Sequence, residues 1–359
     1  MCAKGKSNLR QKDLKNDGPY PVYGAPGIVG FSSDYQNADA YVAVVKDGAG
    51  VGRVMACEPR SSVLGTMQAL LPGKGIDRDY LLHLVRSMDL GKGFTGSTIP
   101  HIYFKDYGKT LVRALSREQQ VEVANRLSGI DHLISQGKGQ LSFLDDLVKS
   151  QFVEMFGDPI EQPKYQTESL GEACTKIGSG ATPRGGKTIY MDNGTPFIRS
   201  LNVHNGTFIR KNLAYIGEEE AKKLSNVSLK RGDVLLNITG ASVARSCVLP
   251  DDLVGGRVNQ HVAILRANQS VILPCILNAT LTSESYQRFM LEGAQKAGAT
   301  REAITKQDLE RFRVSIPPLS LQQQFADFVA QVDKLGFDVQ QQIEKLETLK
   351  QSLMQEYFG

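Results

Sequence analysis

The sequence contains no tryptophan, only 7% aromatic residues and only five cysteines among 359 residues. Cys2, Cys57, Cys174, Cys247 and Cys275 are odd in number and far apart, with no C-x-x-C pair. That argues against a disulfide framework or a structural zinc site and points to a reducing, cytoplasmic setting. Long apolar runs are also missing. Val271 to Leu281 is the nearest candidate, well short of the roughly eighteen residues of a membrane span. The stretch from Met1 to Asn16 is polar and lysine-rich without an apolar h-region, which excludes a secretory signal there. No charge sign dominates: 42 Lys+Arg against 38 Asp+Glu leave a formal net charge of +4. With 41% hydrophobic and 22% charged residues the composition is that of a globular protein, and the length predicts two to three domains.

What the sequence does contain is a repeat. An offset of 202 residues lays Gly96–Gly157 on Gly298–Gly359 without a gap. Gly96, Thr98, Ile102 and Asp106 meet Gly298, Thr300, Ile304 and Asp308. Ala124, Asp131, Leu133, Leu144, Leu147, Ser150 and Glu154 meet Ala326, Asp333, Leu335, Leu346, Leu349, Ser352 and Glu356, and both copies close on Phe-Gly. Earlier in each half the likeness is looser. Gly48-Ala49-Gly50-Val51-Gly52-Arg53 is similar to Gly240-Ala241-Ser242-Val243-Ala244-Arg245, each after a β-branched apolar run. The order is therefore globular, helical, globular, helical.

Periodicity supports this order. Val332, Val339, Ile343, Leu346, Leu353 and Tyr357 recur at heptad spacing, with Lys350 as a polar intruder. Pro317-Pro318 can start that helix but could not lie within it. The first copy shows Leu127, Ile130, Leu141, Leu144, Val148 and Met155, interrupted by Gly137 and Gly139. Each glycine costs about 1 kcal/mol against alanine, which predicts a weak point or bend. The globular segments carry short β-branched runs and many Gly, Asn and Asp turn signals, as twisted antiparallel β with a few helices would. The expected fold class is α+β: two mixed, β-rich domains at 1–115 and 158–317, separated by helical segments at 116–157 and 318–359. The two helices are expected to pack as an antiparallel coiled coil with pseudo-twofold symmetry.

Charge follows the same division. Residues 1–115 hold 15 Lys+Arg and 10 Asp+Glu, and residues 159–317 hold 20 and 15, so each globular segment carries +5. The helical segments carry −2 and −3. Basic surfaces that neutralise phosphates supply most non-specific affinity for DNA, whereas acidic helices suit protein partners.

Catalytic and metal motifs are not found. There is no amino-methyltransferase N-P-P-[FYW] or D-P-P-Y element, since Ile316-Pro317-Pro318-Leu319 has no acidic or amide residue before its prolines. There is no H-E-x-x-H, and His83, His101, His132, His204 and His261 are scattered. Gly180-Ala181-Thr182-Pro183-Arg184-Gly185-Gly186-Lys187-Thr188 imitates a phosphate-binding P-loop, but alanine stands where its first glycine is required. No catalytic residue, no metal site and no cofactor bound by this chain are expected.

The ordered set of motifs resembles the specificity subunits of type I restriction-modification systems over nearly the whole chain. The second half carries Leu170-Gly171-Glu172-Ala173-Cys174, Gly178-Ser179-Gly180-Ala181-Thr182-Pro183, Pro196-Phe197-Ile198-Arg199 and Arg231-Gly232-Asp233-Val234-Leu235-Leu236. The Gly240–Arg245 turn, Asn259-Gln260-His261, Gly298-Ala299-Thr300 and Ile316-Pro317-Pro318-Leu319 before Gln322-Gln323-Gln324 complete it. In the first half, Tyr20-Pro21-Val22-Tyr23-Gly24-Ala25-Pro26-Gly27-Ile28-Val29-Gly30 looks like another variant of the recognition domain. Cys2-Ala3-Lys4 aligns with the Cys174 neighbourhood, so the first domain is expected to lack the strand that opens the motif.

The resemblance implies two target-recognition domains that each read half of a bipartite, asymmetric site in double-stranded DNA. The helices would set the spacer and dock two modification (methyltransferase) subunits using S-adenosylmethionine. Two restriction (motor-nuclease) subunits would add ATP- and Mg-dependent translocation and cleavage. Arginine pairs with guanine and Asn or Gln with adenine in the major groove, while lysine and arginine meet phosphates. Candidate DNA-binding residues are Lys4, Lys6, Arg10, Lys12, Tyr23, Lys46, Arg53 and Gln68 in the first domain. In the second they are Arg184, Lys187, Arg199, Asn202, His204, Arg245, Arg257, Asn259 and Gln260. Asn259-Gln260 has a structural alternative, as a loop-fixing motif. Two other functional readings stay open: a self-contained DNA-modifying enzyme, and a coiled-coil scaffold protein without DNA binding.

Overall fold

The computed structural model describes the chain except residues 94, 96–99, 184 and 295–302 and the side chain of Lys187. The repeat residues Gly96, Thr98, Gly298, Ala299 and Thr300 and the candidates Arg184 and Lys187 therefore lie outside the described residues or side chains. The chain forms two compact units, Met1–Gln140 with Val339–Gly359, and Leu141–Asp338.

The first unit is built on a four-stranded antiparallel sheet, ordered Cys2–Lys4, Met67–Pro72, Tyr41–Val45, Val54–Cys57. The run Tyr41-Val42-Ala43-Val44-Val45 is fully buried because it is covered on both faces. Val42 and Val44, with Val54 and Leu70, face Leu81 and Leu84 of the helix Arg78–Ser87 and Val123, Ala124 and Leu127 of the first long helix. Tyr41, Ala43 and Val45 face a second core with Cys57, Met67 and Ala69. A smaller sheet orders Gly27–Ser32, Tyr20–Gly24 and Ser62–Val63, the last pair parallel.

The second unit repeats this order: Cys174–Ser179, Val262–Ala267, Asp233–Asn237, Ser246–Val248, again antiparallel throughout. Val234, Leu236, Ala263 and Leu265 point to the helical core, and Leu235, Val262, Ile264 and Cys247 to the other. Asp233, at 0% exposure, accepts from Arg266 at 2.7 and 2.8 Å and from the Lys230 N–H at 2.7 Å, so its buried charge is paired. A three-stranded sheet, Ala214–Ile216, Thr195–Ile198, Arg257–Val258, again contains one parallel pair. The expectation of antiparallel β thus holds for both main sheets, and each small sheet adds a parallel pairing.

Each long helix spans 40 residues, Arg117–Phe156 and Leu319–Phe358, about 60 Å at 1.5 Å per residue. Each contributes one half to each unit. In the first unit the halves run antiparallel. Arg126 donates to the Tyr357 hydroxyl at 3.1 Å, Asp131 accepts from Lys350 at 2.5 Å, and Lys138 meets Glu347 at 3.2 Å. In the second unit Phe152 and Phe156 close on Phe325 with ring centroids 5.7 and 5.5 Å apart. A buried glutamine fixes the start of each helix. Gln120 donates to Leu115 O at 3.0 Å and accepts the Asp77 N–H at 2.9 Å. Gln322, 202 residues on, donates to Pro317 O at 2.7 Å and accepts the Leu273 N–H at 2.8 Å.

The first long helix runs unbroken through Gly137 and Gly139, two positions where alanine would favour helix more. Packing supplies the reason at Gly137, where a Cβ would come within 2.8 Å of Ile343 Cγ1, so the missing side chain admits a neighbour. Around Gly139 there is open space. Gly139→Ala should therefore raise stability by up to about 1 kcal/mol. Gly137→Ala should gain the same propensity but lose roughly 1–3 kcal/mol to overpacking. Denaturant melts of the two variants should move in opposite directions.

Candidate nucleic-acid interface

The looser part of the repeat becomes close in three dimensions. Residues 45–53 and 237–245 form the same turn, bond for bond. Val45 N–H donates to Arg53 O and Asn237 N–H to Arg245 O, both at 2.8 Å. Gly52 N–H donates to Val45 O and Ala244 N–H to Asn237 O, again both at 2.8 Å. Val51 bonds back to Gly48 O and Val243 to Gly240 O. Both turns share left-handed backbone at two positions, filled by Gly48 (φ +82°) and Gly52 (φ +84°) in one, which adds Gly50 (φ +88°), and by Gly240 (φ +76°) and Ala244 (φ +70°) in the other. Each turn is then stitched to the next segment alike: Ile102 N–H donates to Lys46 O and Ile304 N–H to Ile238 O, both at 2.9 Å.

In the second unit this turn forms one wall of an open groove of about 700 Å3. Thr239, Gly240 and Arg245 line that wall, His261 lies beside Thr239, and Ser200 and His204 also line the groove. Asn237, fully buried, holds the two walls together by donating to Ser200 O at 2.9 Å and Val203 O at 3.2 Å. Gln287 braces the back of the turn, donating to Ala244 O at 2.7 Å. Along the rim runs a chain of polar groups. The Thr182 hydroxyl donates to the Gln260 Oε1, Gln260 Nε2 lies 3.0 Å from His261 Nε2, and His261 Nδ1 lies 2.6 Å from the Thr239 hydroxyl. With the Gln260 amide donating, His261 Nε2 accepts, its Nδ1–H donates to Thr239, and the Thr239 proton is left for the groove. Among the described residues the Arg245 guanidinium has no partner.

The other candidates divide by what already holds them. Asn202 is fully buried, accepting from the Arg199 N–H at 3.1 Å and donating to Ile209 O at 2.9 Å. Asn259 is buried and accepts the His261 N–H at 3.1 Å, the loop-fixing role its sequence context allowed. Arg257 donates to Ala221 O at 2.9 Å, to the Ser228 hydroxyl at 3.1 Å and to the carbonyls of Gly255 and Gly256. Burial lowers its pKa. Gln68 is buried with its amide on Ala69 O at 2.8 Å. Tyr23 is buried and accepts the Glu58 N–H at 3.4 Å, and burial raises the pKa of its phenol. These five side chains hold the loops together, four of them buried and Arg257 half-buried.

Lys4, Lys6, Arg10, Lys12 and Arg53 are exposed, although Arg53 donates to Ala25 O at 3.0 Å. Lys46 is half-buried, 3.9 Å from Asp47. Arg199 is half-buried, lies over the Tyr190 ring at 5.0 Å and donates to Asn212 O. His204 and Arg245 are half-buried and Gln260 is exposed, and the groove brings His204 and Arg245 together. Thr239, His261 and Asn237 were not among the candidates. The signal for His261 was its place directly after Gln260, whereas nothing local marks Asn237. Among the described residues no group of three or more His, Cys, Asp or Glu side chains is arranged to hold a metal ion, and no helix is long and apolar enough to cross a membrane.

Residues 163–348 match the family model of the type I restriction modification DNA specificity domain. The type I restriction enzyme MjaVIII specificity subunit of Methanocaldococcus jannaschii is 21% identical over 98% of this chain and 88% of its own length. The MjaIX specificity subunit of the same organism is 23% identical over 79% of this chain and 69% of its own. The fold is similar to that of the type I restriction-modification S subunit from M. genitalium, with a TM-score of 0.61, 15% identity and coverage of 100% of this chain and 93% of that one. A chain from a structure of type I system assembly and conformational transition gives 0.53 at 16% identity, covering 99% and 95%. The fold defines a class built from two repeated sheet units and a pair of long helices, and the chain belongs to the type I restriction-modification DNA specificity family.

Asn237→Ala should leave Ser200 O and Val203 O without their donor. It should cost roughly 1–3 kcal/mol, read in a denaturant melt, and should speed amide exchange in residues 200–205.

Proposed function

We propose that this specificity subunit reads a bipartite site in double-stranded DNA, with target-recognition domains at 1–115 and 158–317 each taking one half. The observation that carries the reading is the turn repeated bond for bond at 45–53 and 237–245, ending in Arg53 and Arg245. A turn kept in that detail while its surroundings diverge is a common frame that presents different neighbours. Gly48 and Gly240 have open space where a Cβ would stand, which lets a phosphate backbone come close. The fold-committed residues make the frame, while Lys4, Lys6, Arg10, Lys12, Lys46, Arg53, Arg199, His204, Arg245 and Gln260 are the groups left for DNA, joined by Arg184 and Lys187 on sequence grounds. The hydroxyl of Thr239 adds a donor to that set.

In this reading segments 116–157 and 318–359 pack as an antiparallel coiled coil, set the spacer between the half-sites and dock two modification subunits. S-adenosylmethionine-dependent adenine methylation belongs to those partners, and ATP- and Mg-dependent translocation and cleavage to two restriction subunits. The subunit itself contributes the address in the cytoplasm and no chemistry. The opposite charges of the globular and helical segments support this division.

Arg245→Ala should weaken binding to specific and unrelated duplexes alike if its contact is a phosphate. The slope of log affinity against log salt should become shallower by about one unit. Filter binding over a salt series reads this, and an unaltered slope contradicts a phosphate contact. Removing one heptad from each helix, residues 134–140 with 340–346, takes out about 10 Å. The preferred spacer should shorten by about three base pairs at roughly 3.4 Å each, with both half-site sequences kept. Mapping methylated adenines in cells that carry the variant and a modification subunit checks it.

A further inference from the structure

The repeated turn differs between the units at the residue that enters it. Asp47 in the first and Thr239 in the second stand at the same place, each directly before the left-handed glycine, Gly48 or Gly240. Each also bridges to the same later segment, Asp47 to His101 and Thr239 to Ala303, which the 202-residue offset lays on His101. One is a carboxylate and the other a hydroxyl.

An imidazole holds each of them, and the two imidazoles are not equivalent residues. His101 Nδ1 lies 2.8 Å from Asp47 Oδ1, and His261 Nδ1 lies 2.6 Å from the Thr239 hydroxyl. The counterpart of His101 is Ala303. The counterpart of His261 is Thr66, since Lys46 N–H donates to Thr66 O as Ile238 N–H donates to His261 O, both at 3.0 Å. An ionised carboxylate only accepts, so His101 donates its Nδ1–H to Asp47. The second oxygen of Asp47 makes no hydrogen bond among the described residues; Lys46 Nζ stands 3.9 Å away, and the Asp47 side chain is 28% exposed. The first turn therefore presents a charged acceptor where the second presents the hydroxyl proton of Thr239.

We infer that Asp47 and Thr239 are the base-selecting residues of the two turns, with opposite hydrogen-bonding polarity, an inference that rests on the DNA reading proposed above. A carboxylate is repelled by phosphate and by the acceptor edges of guanine (N7, O6) and thymine (O4). An exocyclic amino group, cytosine N4 or adenine N6, is what satisfies it in the major groove. Against any other edge a desolvated charge is left unpaired, so Asp47 selects by exclusion as much as by attraction. Lys46 and Arg53, near the two ends of the same turn, are the cations that offset its repulsion from the backbone. Thr239 gives its proton to an acceptor edge instead. One backbone frame thus sets unlike bases at the equivalent step of the two half-sites.

The test is selection from a random duplex library by the full chain purified with a modification subunit, read by sequencing. The wild-type complex should enrich cytosine or adenine at one position of one half-site. Asp47→Asn keeps an oxygen for the His101 N–H and should lower that preference at least about tenfold, leaving the other half-site as it is. Thr239→Val should relax one position of the other half-site alone. A third arm needs no variant: duplexes with the amino group deleted at the Asp47 position (2-pyrimidinone for cytosine, purine for adenine) should bind the wild-type complex at least about tenfold more weakly than duplexes with the same deletion outside the half-sites. Equal binding of the two duplexes overturns the inference, as does either variant leaving both half-sites unaltered. Loss of affinity for all sequences alike, with base preferences intact and the melting curve shifted, is what a purely structural Asp47 gives and overturns it too. A wild-type complex that enriches no sequence overturns the DNA reading and the inference with it.

Discussion

The structure depends on one packing constraint: neither globular part closes its own core. In the first unit the sheet side chains Val42, Val44 and Leu70 are covered by Val123, Ala124 and Leu127, with Leu353, Met354 and Phe358 against the same cluster. In the second, Phe152, Phe156 and Phe325 do the same for Val234, Leu236 and Leu265. Each core therefore needs the half of one long helix and the opposite half of the other. Burying side chains of this size is worth roughly 1.5–3 kcal/mol each, far more than the exposed ion pairs along the helices. Sheet and helix are joined by hydrophobic burial, and Gln120 and Gln322 fix how each helix leaves its sheet.

That constraint explains why the helical repeat is plain in the sequence and the globular repeat only loose. Positions that pack against both a partner helix and a sheet keep their character, so the offset of 202 residues runs without a gap through Leu127/Val329 and Leu141/Ile343. The sheets repeat as well, in the same strand order, but insertions change the offset from turn to turn. The sequence shows a loose likeness of Gly48–Arg53 to Gly240–Arg245, and the hydrogen bonds show that residues 45–53 and 237–245 are the same object. The heptad pattern was readable because burial at a fixed period leaves a trace. Propensity at Gly137 is a local quantity, and it does not disclose that the missing side chain admits Ile343 from a segment two hundred residues away.

The candidate residues were legible in type more than in placement. Arg245 and His204 meet in the groove, but Asn202, Asn259, Arg257, Gln68 and Tyr23 are committed to the fold. Residue type marks a group able to pair with DNA. It does not tell whether a carbonyl of the same unit already has that group, as four acceptors do for Arg257. Polar motifs beside a recognition groove serve both purposes, since a loop that must hold its shape against a duplex needs its buried amides satisfied. The chain Thr182–Gln260–His261–Thr239 joins the two roles, because with the Gln260 amide donating, the loop bonds leave the one hydroxyl proton of Thr239 free.

The proposed reading, one half-site for each globular domain, makes a definite demand on the DNA. The most direct measurement is a genome-wide map of methylated adenines in a host expressing this chain with a modification subunit. Two short, unrelated half-sequences separated by a fixed number of unspecified bases is the result expected. A single continuous motif, or methylation without sequence preference, would contradict the account.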